Sequence, residues 1–323
     1  MQRLIFTFIS MYTLSWALPL VSQKELSFGD STESSEGIID LSAYGREIFG
    51  VPDPLTGARV ANLSVDSNVN PEELGSYIEG DILLPLPDII TLNGLPQKSY
   101  RWKKGVVPFV IKDGYSSKDL STIKTAMDEY HNRTCIRFVE RRGEKDYISI
   151  QNGNTGCWSY VGRRGGKQIV NLQSPGCVGQ PGTAMHELMH VVGFLHEQSR
   201  MERDNYVTIM YDNIIPKHKK DFKKVDPTEG FGVPYDYDSI MHYSATSFSK
   251  NKKPTIVTIR PEDNSRIGQR FKFSEKDILK INKMYKCKQS TNSPDDVSLS
   301  TPEPESSTAT TVSSSLDPDN SLI

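Results

Sequence analysis

A chain of 323 residues is longer than one ordinary domain, and length alone points to about two domain-sized pieces. Hydrophobic residues make up 36% and charged residues 24%, enough apolar material for a sizeable core, which excludes wholesale disorder. Lys+Arg 38 against Asp+Glu 40 gives a net charge of −2, which excludes a protein built mainly to neutralise phosphate and argues against nucleic acid as a partner.

The chain begins with Arg3 and the apolar run Leu4–Leu20, broken only by small polar residues, and Ser15-Trp16-Ala17 puts small residues before a cut at Leu18. Residues 1–17 read as a secretory signal peptide. The competing reading, an uncleaved anchor, suffers from a run that is short for a bilayer span. No later segment approaches that length of apolar sequence, so a secreted, extracellular protein with no membrane span after signal removal is expected. Secretion opens disulfide chemistry to Cys135, Cys157, Cys177 and Cys287, which admit three pairings. It also makes Asn62 and Asn132 glycan acceptors, in Asn62-Leu63-Ser64 and Asn132-Arg133-Thr134.

Three regions follow the signal. Residues 18–92 hold no cysteine and begin with an acidic, Ser-rich stretch, which suggests a loosely structured leader without its own core. Residues 93–288 carry all the cysteines and mixed helix and strand patterns. Residues 289–323 contain 15 Ser/Thr, four Pro, six acidic residues and no Lys or Arg, and read as a disordered tail open to O-glycosylation.

Within the central region, Ser117 is placed to cap a helix with Leu120, Ile123, Ala126, Met127 and Tyr130 at 3/4 spacing. Short β-prone runs follow at Ile136–Val139, Tyr147–Ile150 and Gln168–Leu172, the last two punctuated by Gly162–Gly166. Pro181-Gly182-Thr183 opens a second helix over Ala184 to about Leu195, and Ser274 with Asp277 forms a capping box for a last helix carrying Ile278, Ile281 and Met284. Strands first and helices later make an α+β pattern.

The segment His186-Glu187-Leu188-Met189-His190-Val191-Val192-Gly193-Phe194-Leu195-His196-Glu197 carries the chemistry. Residues i and i+4 share a helix face, so His186 and His190 can offer nitrogens to one metal ion, while Glu187 projects beside that face as a base. Gly193 can adopt the positive φ that ends a helix, and the turn brings His196 round as a third ligand. Three nitrogen donors favour one Zn2+ with an open coordination position. The bland alternative, histidines spaced by accident, does not account for so many matched residues at fixed offsets.

Downstream lies Ser239-Ile240-Met241-His242-Tyr243, a Met-containing turn. With it the chain resembles the metzincins, and specifically astacin-family zinc endopeptidases. Glu197 and Tyr243 both match, as do Arg101-Trp102, Gly156–Gly162, Arg200–Asp204 and Ile267–Arg270, so the likeness covers about Arg101 to Cys287. It implies a mixed sheet with an active-site helix and two subdomains flanking a zinc cleft. It further implies Met241 as an apolar floor beneath the zinc, Tyr243 as a further ligand that swings away to stabilise the transition state, and a structural role for Glu197. Family pairing would join Cys135 to Cys287 and Cys157 to Cys177. Gln168–Leu172 would be the edge strand on which a peptide substrate pairs.

The resemblance also gives the leader a meaning. Astacin zymogens are held inactive by a prosegment Asp on the zinc, within Phe-x-Gly-Asp; here the quartet is Ile78-Glu79-Gly80-Asp81, with Ile in place of Phe. Asp81 would then be a zymogen-only ligand, 18–92 a propeptide, and 93–288 the catalytic domain released by an activating protease. Leu92 precedes Asn93, so that boundary lacks the basic residue a trypsin-like activator needs. The implied activity is hydrolysis of protein or peptide substrates, with Glu187 as general base and Tyr243 on the oxyanion. Arg270 would favour acidic residues after the scissile bond; a solvated surface Arg is the alternative. Two other readings, a binding module that has lost catalysis and a different metzincin subfamily, conflict with the complete ligand and base set and with Glu197 and Tyr243.

Overall fold

The computed structural model describes residues 51–63, 67, 69–83, 98–225, 230–263 and 266–288. The signal segment, the boundary at Leu92–Asn93 and the tail 289–323 lie outside the described residues. Helix α1 (Pro54–Ala61) opens at Asp53, whose carboxylate accepts from the Leu55 and Thr56 amides, and Pro54 supplies a preset first turn. Strand β1 (Val106–Ile111) leads into α2 (Ser117–Arg133), then β2 (Arg137–Glu140), β3 (Tyr147–Gln151), β4 (Cys157–Trp158) and β5 (Lys167–Leu172). Helix α3 (Pro181–Val192), the β6–β7 ribbon (Val207–Ile209, Ile256–Thr258) and α4 (Glu275–Tyr285) follow.

The sheet runs β2-β1-β3-β5-β4, with parallel pairing except for β4, which is antiparallel on β5 at Cys157↔Leu172 and Trp158↔Asn171. Strand β5 therefore lies between β3 and β4 and is not the free edge that sequence reasoning made of Gln168–Leu172. The edge belongs to β4 and its continuation at Ser159, too short a run to register as a strand in sequence.

Helices α2 and α3 pack on the sheet, and α4 joins them in one apolar core that includes Ile123, Tyr130, Leu188, Ile281 and Met284. Helix α2 is capped by Ser116, not Ser117: Ser116 Oγ accepts from the Asp119 amide and Asp119 from the Ser116 amide. Leu120, which sequence spacing put on the buried stripe, lies off it and is 41% exposed. Helix α3 starts at Pro181 and stops at Val192, three residues short of Leu195, because Gly193 takes φ 116° as its C-cap. The α4 capping box is Ser274 with Asp277 as its sequence indicates. A second apolar cluster, around Tyr237, Tyr243, Phe248 and Ile256, forms the other lobe.

Disulfide Cys135–Cys287 ties the end of α2 to the end of α4 across 152 residues, and Cys157–Cys177 joins β4 to the turn before α3. Closing so long a loop restricts the unfolded chain. The described leader has a helix but no core of its own: Val60 joins the main core, and Tyr77 and Leu83 pack on Trp158. No described helix is long and apolar enough to cross a membrane.

Candidate active site

Helix α3 is buried along nearly its whole length, so the turn carrying His186 and His190 is held rigidly. The reversal at Gly193 sends the chain back to His196. These imidazoles converge with Asp81 of the leader, one ligand atom from each lying within 4.8 Å of the others. Asp81 Oδ2 is 3.0 Å from His186 Nε2 and 3.3 Å from His196 Nε2, and its Oδ1 is 3.3 Å from His190 Nε2. Asp81 reaches this point on a tight reversal, where Ile78 and Ile82 exchange backbone hydrogen bonds of 3.2 and 2.9 Å. At its tip Glu79 and Gly80 have φ 47° and 90°, and a Cβ on Gly80 would meet the Phe248 ring at 2.8 Å.

The outer nitrogens set the tautomers. His186 Nδ1 donates to the Ile240 carbonyl and His190 Nδ1 to the Phe194 carbonyl, each at 2.7 Å. A carbonyl only accepts, so each ring carries a proton on Nδ1, and the neutral ring of either residue presents an Nε2 lone pair to the common point. His196 Nδ1 lies 2.7 Å from Glu79 Oε2. His190 Nε2 and Asp81 Oδ1 are buried without a hydrogen-bond partner among the described residues, a state that interiors avoid. Burial and the Arg270 cation push His186 down to about 3, which keeps it neutral. Burial works against a charged His196, yet Asp81 and Glu79 carry it up to about 10. Three inward imidazoles, a carboxylate and a field that rewards positive charge fit a zinc ion.

Glu187 is fully buried next to this group, and neither carboxylate oxygen has a partner among the described residues. Burial first and the Asp81 charge second push its carboxyl well above the ordinary range. Met241 is buried, and its carbonyl accepts from the Glu197 amide at 3.0 Å, stitching the Met-turn to the third histidine. The Tyr243 ring lies 4.7 Å from the His196 ring, but its hydroxyl donates to the Glu79 carbonyl at 2.5 Å and not to the histidine group. Glu197 is held by Lys280 Nζ at 2.7 Å and Arg200 Nη1 at 2.8 Å. Burial opposes its charge, but these cations keep its carboxyl below the ordinary range.

Arg270 is not a solvated surface side chain. It is buried, with Nε on the Glu72 carboxylate of the leader and Nη1 on the His242 carbonyl at 3.1 Å. Neighbouring Glu73 accepts from the amide and hydroxyl of Ser244 at 2.7 and 2.6 Å. Beyond Asp81 the leader pairs with the sheet edge: the Ser159 amide donates to the Asp81 carbonyl at 3.0 Å and the Leu83 amide to the Ser159 carbonyl at 2.9 Å. The strand contacts are parallel. Sequence reasoning missed Glu72 and Glu73; Glu79 and Ser159 stood in the matched stretches Ile78–Asp81 and Gly156–Gly162 but were given no role of their own. Asn62 and Asn132 are exposed, while Ser64 of the first sequon lies outside the described residues.

A family model described as Astacin, a peptidase family, matches residues 94–286. The chain is 36% identical over 297 residues to "Zinc metalloproteinase nas-4" of Caenorhabditis elegans, covering 88% of this chain and 90% of that protein. It is 42% identical over 230 residues to "Low choriolytic enzyme" of Oryzias latipes, covering 69% and 83%. Among solved structures, that of "High choriolytic enzyme 1", a hatching enzyme zinc-protease from Oryzias latipes, superposes with TM-score 0.56 at 44% identity, over 59% of this chain and 96% of that one.

Proposed function

From the premise that this chain belongs to the astacin family of peptidases, we propose that it is a secreted endopeptidase made in latent form, with Asp81 of its leader lodged in the zinc site. That it is a zinc metalloendopeptidase using one zinc ion follows from the family itself. The observation that carries the latent reading is the buried convergence of Asp81 with His186, His190 and His196. Residues 1–17 are then a signal, 18–92 a propeptide, 93–288 the catalytic domain and 289–323 a tail. A secreted route is the one in which the two disulfides and glycans on Asn62 and Asn132 form.

In the processed enzyme His186, His190 and His196 hold the zinc, which supplies a Lewis acid for the scissile carbonyl and lowers the pKa of water. Glu187 takes the proton from the attacking water and hands it to the leaving amine nitrogen as the C–N bond breaks. The Tyr243 hydroxyl, released from the Glu79 carbonyl when the leader departs, donates to the developing oxyanion. The Ser159 amide and carbonyl, released from Asp81 and Leu83, are free to pair with a substrate backbone by strand addition. The grip of Glu72 on Arg270 supports a preference for acidic residues after the scissile bond: a carboxylate already fills that place. The test is Glu187→Ala in the processed enzyme. Casein or peptide hydrolysis should fall by at least about a hundredfold with zinc content unchanged; hydrolysis at the wild-type rate would remove Glu187 as the base.

A further inference from the structure

The three histidines differ in what holds their outer nitrogens. His186 and His190 are oriented by the Ile240 and Phe194 carbonyls, both within the proposed catalytic domain. His196 is oriented by Glu79 Oε2, which belongs to the leader. Glu79 is 2% exposed and makes two further contacts through its backbone. Its carbonyl takes the Tyr243 hydroxyl at 2.5 Å, and its amide lies 3.3 Å from Asp221 Oδ1. Asp221 in turn accepts from His218 Nδ1 at 2.8 Å. A non-glycine residue with φ 47° carries backbone strain, and such strain persists where the surroundings over-determine it.

We propose that Glu79 is a second lock in the leader, a positioning residue that orients His196 through its carboxylate and holds Tyr243 off the metal through its carbonyl. Asp81 fills the place of the attacking water, and Glu79 governs the third ligand and the oxyanion donor. Removal of the leader thus changes the outer partner of one zinc ligand only, and releases the tyrosine in the same step. A carboxylate on the outer nitrogen of a ligating histidine raises its basicity and fixes its ring, and loss of such a partner typically weakens metal binding about 10–100-fold. The full-length form therefore holds zinc more tightly than the reading with Asp81 alone requires.

This inference rests on the latent reading above, and its test separates the two. The full-length chain is prepared as wild type, Glu79→Ala, Glu79→Gln and Asp81→Ala, and zinc loss to excess chelator is followed together with peptide hydrolysis before processing. Glu79→Ala should release zinc about tenfold faster or more, while its backbone carbonyl still holds Tyr243 and Asp81 still fills the site, so hydrolysis should stay at the wild-type background. Glu79→Gln, which keeps the volume and an uncharged acceptor, should fall between the two. Equal zinc release in all three Glu79 forms overturns the second lock. If Asp81→Ala leaves hydrolysis silent while Glu79→Ala speeds zinc loss, the latent reading fails and the tie from Glu79 to His196 stands.

Discussion

Arg270 has its guanidinium where water cannot screen it: the side chain is 1% exposed and bonded to an equally buried Glu72. Removing one member of such a pair leaves a desolvated charge, which costs about 3–5 kcal/mol. Arg270→Ala should therefore lower the thermal midpoint of the full-length chain, and in the processed enzyme it should erase the proposed preference for acidic residues while neutral peptides are still cut. Peptide-library profiling measures this, and a retained acidic preference would take Arg270 out of specificity. The partner of Arg270 stands 198 residues away in sequence, so its burial was not legible there. His186, Glu187 and His190 were legible because one helical turn fixes their relation without any tertiary information. The carboxylate at Asp81 was legible as a motif, whereas the outward reach of Glu79 depends on a left-handed backbone that its residue type does not advertise.

At the scale of elements, α4 does more than cover the core. Its Lys280 is buried, with Nζ 2.7 Å from Glu197 Oε2 and 3.3 Å from Asp277 Oδ1. The helix thus braces the turn that follows His196. Lys280→Met should destabilise the protein by about 3–5 kcal/mol at neutral pH by leaving two buried carboxylates short of a cation. The sign of the pH effect follows from Glu197, whose carboxyl is held below its ordinary value. Its stabilisation is present above the ordinary carboxylate range and is lost as pH falls toward the lowered value. The wild-type thermal midpoint should drop on acidification from about pH 5 to 3, and the drop should shrink in Lys280→Met. An identical acid limb in both proteins would contradict the pairing. Helices α2, α3 and α4 were legible from 3.6-residue periodicity, helped by Gly193 at the end of α3 and the Ser274 capping box of α4. Strand β1 was not, because Pro108 within Val106–Ile111 reads against a central strand. Strand β4 has two residues, below any periodic signal.

At the scale of the molecule, the described residues gather into two main apolar clusters, and the segment 69–83 makes hydrogen bonds to residues on both sides of the histidine group. The leader touches the sheet edge at Ser159, the histidines through Asp81 and Glu79, and the second lobe through Glu73 and Ser244. It meets Ser159 in parallel, and its acidic side chains pair with Arg270, Ser244 and the histidines. Near-neutral net charge fits this use of charge in internal pairs. The most direct test of the latent zinc-peptidase account is hydrolysis of an internally quenched peptide by the unprocessed full-length chain, compared between wild type, Asp81→Ala and Asp81→Ala with Glu187→Ala. The account predicts a silent wild type, an Asp81→Ala form that cuts the peptide without processing, and silence again in the double variant. A wild type that already cuts at the processed rate, or a zinc-loaded Asp81→Ala form that stays silent until its leader is removed, would contradict it.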